Sequence, residues 1–269
     1  MSINSEKYKT QILCFDAKDF PIIPKIKTKS LASIPTKLLR NSLLTVLDSV
    51  AVSETRPELS GVLVDLSNDK VVFAATDSFR LTEKRVDFKN TQKQTMILPR
   101  NTVVELIRIC SDIEGELDFN INDNQISFSN DDFEIVSRIV DGNYPDYKKV
   151  IPDKFISRVL VKKEELEKTI RLAGLFSTNI SDIKISCLEN KVVILAKNSD
   201  KGEIETSIDA SLKNEAFDVS LNFHYLLDGL KIIETDKVII EFTGQGSPLV
   251  LRSNDDKKDL VYLIMPLRK

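Results

Sequence analysis

The chain has 269 residues, of which 42% are hydrophobic and 29% charged, with a formal net charge of -3. That length suits two ordinary domains of about 100 to 200 residues each, and the composition excludes a disordered chain. The mild acidity argues against a broad basic footprint that grips DNA on its own and leaves room only for a local basic face.

No run approaches the ~18 apolar residues of a membrane helix, and the polar start has no signal-peptide core, so cytoplasm is the expected compartment. Cys14, Cys110 and Cys187 stand singly and fit reduced, structural thiols. His224 is the only histidine, which excludes paired-histidine acid/base chemistry and multi-histidine metal sites. Its setting, LNFHYLLDGL, predicts a helix start instead.

In chain order, KYKTQILCF (7–15) predicts a strand, followed by DAKDFPIIP as a linker. A helix is predicted from near Thr36, with Leu39, Leu43, Val46 and Leu47 at helical spacing. GVLVDLSNDKVVFAA (61–75) predicts two strands around a turn at Ser67-Asn68-Asp69-Lys70. A second helix starts near Asn101 with Val103, Leu106, Ile107 and Cys110 on one face. GELDFNINDNQISFSNDDFEIVSRIV (115–140) then predicts strands with a turn at Ile121-Asn122-Asp123-Asn124. Periodicity breaks at DGNYPDYKKVIP (141–152), which holds two prolines.

The pattern then starts again. A helix begins near Lys163 with Leu166, Ile170 and Ala173, strands fill DIKISCLENKVVILA (182–196), and a helix begins near Asn222 with Phe223, Leu226, Leu227 and Leu230. KVIIEF (237–242) and PLVLRSNDDKKDLVYLIM (248–265) close the chain as strands. NDKVVFAATD (68–77) recurs as ENKVVILAKNSD (189–200), LPRNTVVELIRI (98–109) as LNFHYLLDGLKII (221–233), and SNDD at Ser129 again at Ser253, each about 120 residues later. The chain is therefore two copies of one α+β domain, each with two helices packed on antiparallel sheets. The expected divisions are 28–150 and 151–269, with 1–27 as the last strand of a preceding domain plus a linker. That strand would present an unpaired edge.

SGVLVDLSNDKVVFAATDSFRL (60–81), with its Ala-Thr-Asp-x-x-Arg-Leu ending, is joined in order by RPELSG (56–61), DGNYPDYKKVIP, YLLDGLKII (225–233) and YLIMPLRK (262–269). From Lys7 onward this set resembles the bacterial DNA polymerase III beta-subunit (beta sliding clamp) family. The resemblance implies a DNA-clamp fold and a processivity factor of the replicative polymerase, with no catalytic activity, cofactor or metal of its own. Members of that family carry three repeats and close head to tail into a two-protomer ring, so this chain corresponds to the second and third repeats with the end of the first. It is expected to be monomeric.

The implied partners are duplex DNA, bound through phosphates, and the polymerase, clamp loader and repair proteins, bound through short apolar peptides. Carried over from the family, one side of the peptide pocket is Arg56, Leu59, Thr76, Phe79, Arg80 and Leu81, and the linker adds Pro145 and Val150. The other side is Asn222, Tyr225, Pro248, Leu263, Met265, Pro266, Leu267 and Arg268. Leu59, Leu81, Val150 and Leu263 equally fit ordinary core packing. Phe79 stands where the family has a residue with a polar tip, and Lys269 replaces an apolar end.

The DNA-facing residues implied by the family are Lys37, Arg40, Arg100, Arg108, Lys163, Lys168, Arg171 and Lys231, on the polar sides of the four helices. Glu105, Glu164, Glu167 and Asp228 share those helices, and lysines on solvated helices need no function. Two alternatives remain at this point. One is a phosphate-ester enzyme using Thr76, Asp77, Ser78 and Arg80, which lacks a P-loop or an accompanying metal-ligand spacing. The other is a clamp paralogue that binds partner peptides without encircling DNA.

Overall fold

The computed structural model describes residues 1–20, 26, 30–52, 55–67, 69–88, 93–122 and 124–267. Asn68, Asp123, Arg268 and Lys269, singled out above, lie outside the described residues.

At the start of the chain, β1 (Ser2–Asn4) and β2 (Lys9–Gln11) form a solvent-exposed antiparallel hairpin, with Ile3 opposite Thr10. The strand expected over 7–15 is thus only three residues long, and it pairs along one edge with β1.

The first repeat runs β3 (Ala32–Pro35), α1 (Thr36–Leu47), β4 (Gly61–Ser67), β5 (Lys70–Thr76), β6 (Arg80–Asp87), β7 (Gln94–Pro99), α2 (Arg100–Asp112), β8 (Glu116–Ile121), β9 (Gln125–Ser129) and β10 (Glu134–Arg138). The second runs β11 (Ser157–Lys162), α3 (Lys163–Gly174), β12 (Asp182–Leu188), β13 (Lys191–Asn198), β14 (Gly202–Lys213), β15 (Phe217–Asn222), α4 (Phe223–Lys231), β16 (Lys237–Phe242), β17 (Leu249–Ser253) and β18 (Leu260–Ile264). The order of helices and strands is the same in both. Among the described residues no helix is long and apolar enough to cross a membrane.

Each helix forms because its apolar residues recur at three- and four-residue spacing and can be buried on one face. In α1 these are Leu39, Leu43 and Val46; in α3 they are Leu166, Ile170 and Ala173. Glu164 and Glu165 in the first turn of α3 suit the positive end of its dipole. α4 is capped by Asn222, whose side chain accepts the His224 N–H at 2.9 Å. In each repeat the two helices pack side by side on one face of the sheets.

The strands are antiparallel throughout, in a four-stranded sheet (β10-β9-β8-β3) and a twelve-stranded sheet (β15-β12-β13-β14-β11-β16-β17-β18-β6-β5-β4-β7). The long sheet is continuous because the last strand of the second repeat joins the first repeat: β18 pairs with β6, with Leu263 opposite Leu81 and Val261 opposite Glu83. Alternation along these strands divides the core. Phe73, Leu98, Tyr262 and Leu251 face the helices, whereas Leu63, Ala74, Leu81, Ile97, Val250, Val261 and Leu263 face the other way. That second face is covered by the linker, through Val140, Tyr144, Tyr147, Ile151 and Phe155.

Candidate functional site

A cleft of about 310 Å³ opens beside the β6–β18 junction, where strands of both repeats and the linker meet. Its walls bring together Arg56, Leu59, Thr76, Arg80, Leu81, Pro145, Val150, Leu263 and Met265 from the expected set. Ser78, Asp146 and Tyr147 also line it and were not anticipated. Leu59, Leu81 and Leu263 are each at most 3% exposed and form the apolar floor, while Val150 is 45% exposed at the rim.

The turn between β5 and β6 is locked by its own side chains. Asp77 Oδ1 accepts the N–H groups of Phe79 and Arg80, each at 2.9 Å. Thr76 Oγ1 donates to the Arg80 carbonyl at 2.7 Å and accepts the Ser78 N–H at 3.1 Å, with Ser78 held at φ 76°. The Asp77 carboxylate thus shapes the turn, and its other oxygen accepts from Arg80 Nε at 3.0 Å. Among the described residues no group of three or more His, Cys, Asp or Glu side chains is arranged to hold a metal.

Arg80 reaches across the junction to the second repeat. It forms an ion pair with Asp228 on α4, and its guanidinium lies over the Tyr225 ring, 4.5 Å from the centroid. Burial disfavours its charge, but the oxygens of Tyr262, Asp77 and Asp228 outweigh that, so the guanidinium is held above its ordinary value. Burial likewise raises Tyr225, with Asp77 adding to the effect. Phe79, 59% exposed, stacks on Tyr225 with ring centroids 6.5 Å apart. Below the linker, the Tyr147 hydroxyl donates to the buried Glu83 Oε2 at 2.6 Å, and Arg85 holds the other oxygen at 2.7 Å. Desolvation pushes the Tyr147 hydroxyl up, and its bond to Glu83 pushes it further.

The C-terminal segment is tied to both repeats: the Met265 N–H donates to the Phe79 carbonyl, and the Leu267 N–H to the Ser220 carbonyl, each at 2.8 Å. Met265, Pro266 and Leu267 also line a second, more polar groove of about 510 Å³ along the β15 edge, walled by Ser220 and the Gly244–Ser247 turn. Met265 is common to both spaces.

Two consecutive family models match this chain: the DNA polymerase III beta subunit, central domain, over residues 33–146, and the DNA polymerase III beta subunit, C-terminal domain, over residues 148–268. The chain belongs to the DNA polymerase III beta-subunit family, the beta sliding clamps. The beta sliding clamp of Bacillus subtilis (strain 168) is 29% identical over 272 residues, covering 99% of this chain and 72% of the relative. That of Staphylococcus aureus (strain Mu50 / ATCC 700699) is 27% identical over 257 residues, with 94% and 68% covered. Among solved structures, the Bacillus subtilis DNA polymerase sliding clamp superposes with a TM-score of 0.94 at 28% identity, and the Thermotoga maritima DNA polymerase III beta subunit with 0.93 at 26%. They cover all of this chain, which spans 72% and 73% of theirs.

Within this clamp fold several expected wall residues sit elsewhere than the cleft. Asn222 caps α4 and donates to the Ile180 carbonyl at 3.3 Å. Pro248 uses its carbonyl to accept from Thr243 Oγ1 at 3.1 Å. Phe79 and Tyr225 form an aromatic pair outside the cleft lining, with Tyr225 supporting Arg80 from beneath. Pro266 and Leu267 belong to the second groove.

The helix cations of the clamp are mostly matched within the molecule. Arg108 pairs with Glu105 at 2.5 Å, Lys168 with Glu164 at 2.6 Å and Arg171 with Glu167 at 2.7 Å. Lys231 crosses the junction to Asp48 on the first repeat at 2.9 Å. Arg40 Nε ties α1 to Ser111 of α2 at 2.7 Å, and Lys163 caps the Ile233 carbonyl. Arg100 is half-buried, with its Nε unpartnered. Lys37 is exposed.

Proposed function

We propose that this chain acts as the processivity clamp of a bacterial replicative DNA polymerase, a non-catalytic cytoplasmic platform that tethers polymerase and repair proteins to duplex DNA. The repeats are assigned to 28–150 and 151–269, with 1–27 belonging to a preceding unit. Partner proteins insert a short apolar peptide into the junction cleft, and a clamp loader places the assembled clamp on DNA. The observation that carries the reading is the cleft itself, built by both repeats and the linker in a member of the sliding-clamp family.

Chemistry favours such a ligand. A floor of Leu59, Leu81 and Leu263 with Met265 at its edge offers an adaptable apolar surface, and few unengaged polar groups surround it. For DNA, the helix cations supply shallow, sequence-independent attraction to phosphates, which suits sliding. Because half of those cations, Arg108, Lys168, Arg171 and Lys231, already face a carboxylate, the attraction is weak in the isolated chain.

The test is a fluorescence-anisotropy titration with a Gln-Leu-x-Leu-Phe type peptide and its scrambled counterpart. Saturable binding of the first alone, lost in Met265→Ala, is the expected result. Equal binding of both peptides, or none by either, would overturn the docking reading.

A further inference from the structure

The dipeptide Asp-Gly occurs twice in the chain, at Asp141-Gly142 in the linker and at Asp228-Gly229 in α4. In this dipeptide no side chain on the glycine hinders its nitrogen from reaching the preceding carboxyl group, so a five-membered imide can close. Closure needs a backbone free to turn and an N–H that is not held elsewhere. The fold sets the two sites apart on both counts.

Asp141 and Gly142 are exposed and lie outside any helix or strand, with Gly142 at φ 133°. Among the described residues, neither the Gly142 N–H nor the Asp141 carboxylate has a hydrogen bond or ion pair. A Cβ at Gly142 would meet only the Glu58 Cβ within 4 Å, at 3.6 Å, and a groove of about 390 Å³ lies open beside both residues. Gly229 is the opposite case. It is buried inside α4, where its N–H belongs to the helix ladder, and the Asp228 carboxylate accepts from Arg80 Nη1.

We propose that Asp141-Gly142 is a site of spontaneous isoaspartate formation, and that the fold protects the same dipeptide in α4. The Gly142 nitrogen bonds to Asp141 Cγ, and the carboxyl hydroxyl leaves with the amide proton as water, which gives the succinimide. Water then adds to the backbone carbonyl carbon of Asp141 and breaks its bond to the Gly142 nitrogen, so the chain now runs through Cβ and Cγ. The sequence consumes no oxidant, reductant or cofactor. The product backbone is longer by one methylene just ahead of Tyr144, Pro145 and Tyr147, which cover the second sheet face and wall the cleft. Its freed α-carboxylate is the group that S-adenosylmethionine-dependent isoaspartyl methyltransferases esterify.

The experiment ages the full chain in mildly acidic buffer, folded or in urea, beside Asp141→Glu, whose longer side chain does not close the five-membered ring. Isoaspartate is read with an isoaspartyl methyltransferase and methyl-labelled S-adenosylmethionine. Peptide mapping locates it and shows the imide as the loss of one water. In the folded wild type, the Asp141 peptide is expected to gain isoaspartate at least about tenfold faster than the Asp228 peptide, because α4 must open before the Gly229 N–H is free. Asp141→Glu abolishes the label in the linker peptide, and in urea the two wild-type peptides react at similar rates. Equal rates at the two sites in the folded chain, an Asp141 peptide that stays unmodified, or an Asp228 peptide that stays unreactive in urea would overturn the proposal.

Discussion

Gly229 lies where helix α4 comes closest to the sheet. Glycine inside a helix costs about 1 kcal/mol relative to alanine, so on helix propensity alone Gly229→Ala would stabilise the protein. The structure predicts the reverse. A Cβ at this position would meet the Tyr262 ring, with Cδ1 at 2.5 Å, and Leu251 Cδ1 at 2.9 Å. Neither neighbour has room to retreat: Tyr262 is 1% exposed and Leu251 0%, and the Tyr262 hydroxyl is tied to the Tyr225 carbonyl at 2.7 Å. Overpacking of this kind costs about 1 to 3 kcal/mol, which leaves a net destabilisation of up to roughly 2 kcal/mol after the propensity gain. The helix relieves the clash by lifting from β18, and it carries Tyr225 and Asp228 with it. Urea unfolding should therefore show a lowered midpoint, and peptide affinity should fall in folded protein well below that midpoint. A midpoint at or above the wild-type value would refute the close packing of α4 on Tyr262.

Other perturbations test separate parts of the molecule. Tyr147→Phe removes the donor to Glu83, which is 1% exposed, and leaves a buried carboxylate oxygen short of a partner; the cost is about 1.5 to 3 kcal/mol by urea unfolding, and an unchanged midpoint would contradict it. Cys14 is exposed while Cys110 and Cys187 are buried, so a thiol reagent at neutral pH should titrate one fast cysteine and reach the others only on unfolding. Burial pushes the Cys187 thiol up to about 12 from an ordinary 9.0. The unfolded chain then loses its proton first, so stability falls as pH rises from about 9 toward 12, at about 1.4 kcal/mol per pH unit from this thiol. Cys187→Ala should flatten that part of the decline, and an equal slope in the variant would count against it. For duplex association, Lys37 is exposed and outside every ion pair among the described residues, so Lys37→Ala should lower the salt dependence by roughly one unit of slope. Lys168→Ala, whose charge faces Glu164, should leave it unchanged, and equal effects would contradict this difference.

The helices were legible in the sequence because their apolar positions recur at helical spacing: the starts expected near Thr36, Asn101, Lys163 and Asn222 fall within a residue of those observed. The repeat was legible because two copies of one fold need the same residues at the same turns. β14 was not singled out, since its alternation is muted: Ile204, Ile208, Ala210 and Leu212 are only half-buried, and charged residues and serines fill the other face. The β18–β6 pairing is non-local, and no short-range pattern announces which strand closes against which.

The cleft was partly legible through resemblance, which placed Leu59, Leu81, Leu263 and Met265 together. Asn222, expected at the pocket wall, also caps α4, and asparagine suits both places. Tyr147 was signalled by an aromatic residue in a proline-bearing linker, but its partner Glu83 is remote in sequence. The same distance hid the ties between Arg80 and Asp228 and between Lys231 and Asp48 across the junction.

The central claim is that the junction between the repeats receives partner peptides. Its most direct test places a benzophenone photoprobe at the terminal aromatic position of a Gln-Leu-x-Leu-Phe type peptide and maps the crosslinks on the folded chain. The account predicts crosslinks within Pro145–Val150 and at Leu263 or Met265, competed by unlabelled peptide. Competed crosslinks confined to the second groove around Gly244–Ser247, or to the helices, would contradict it.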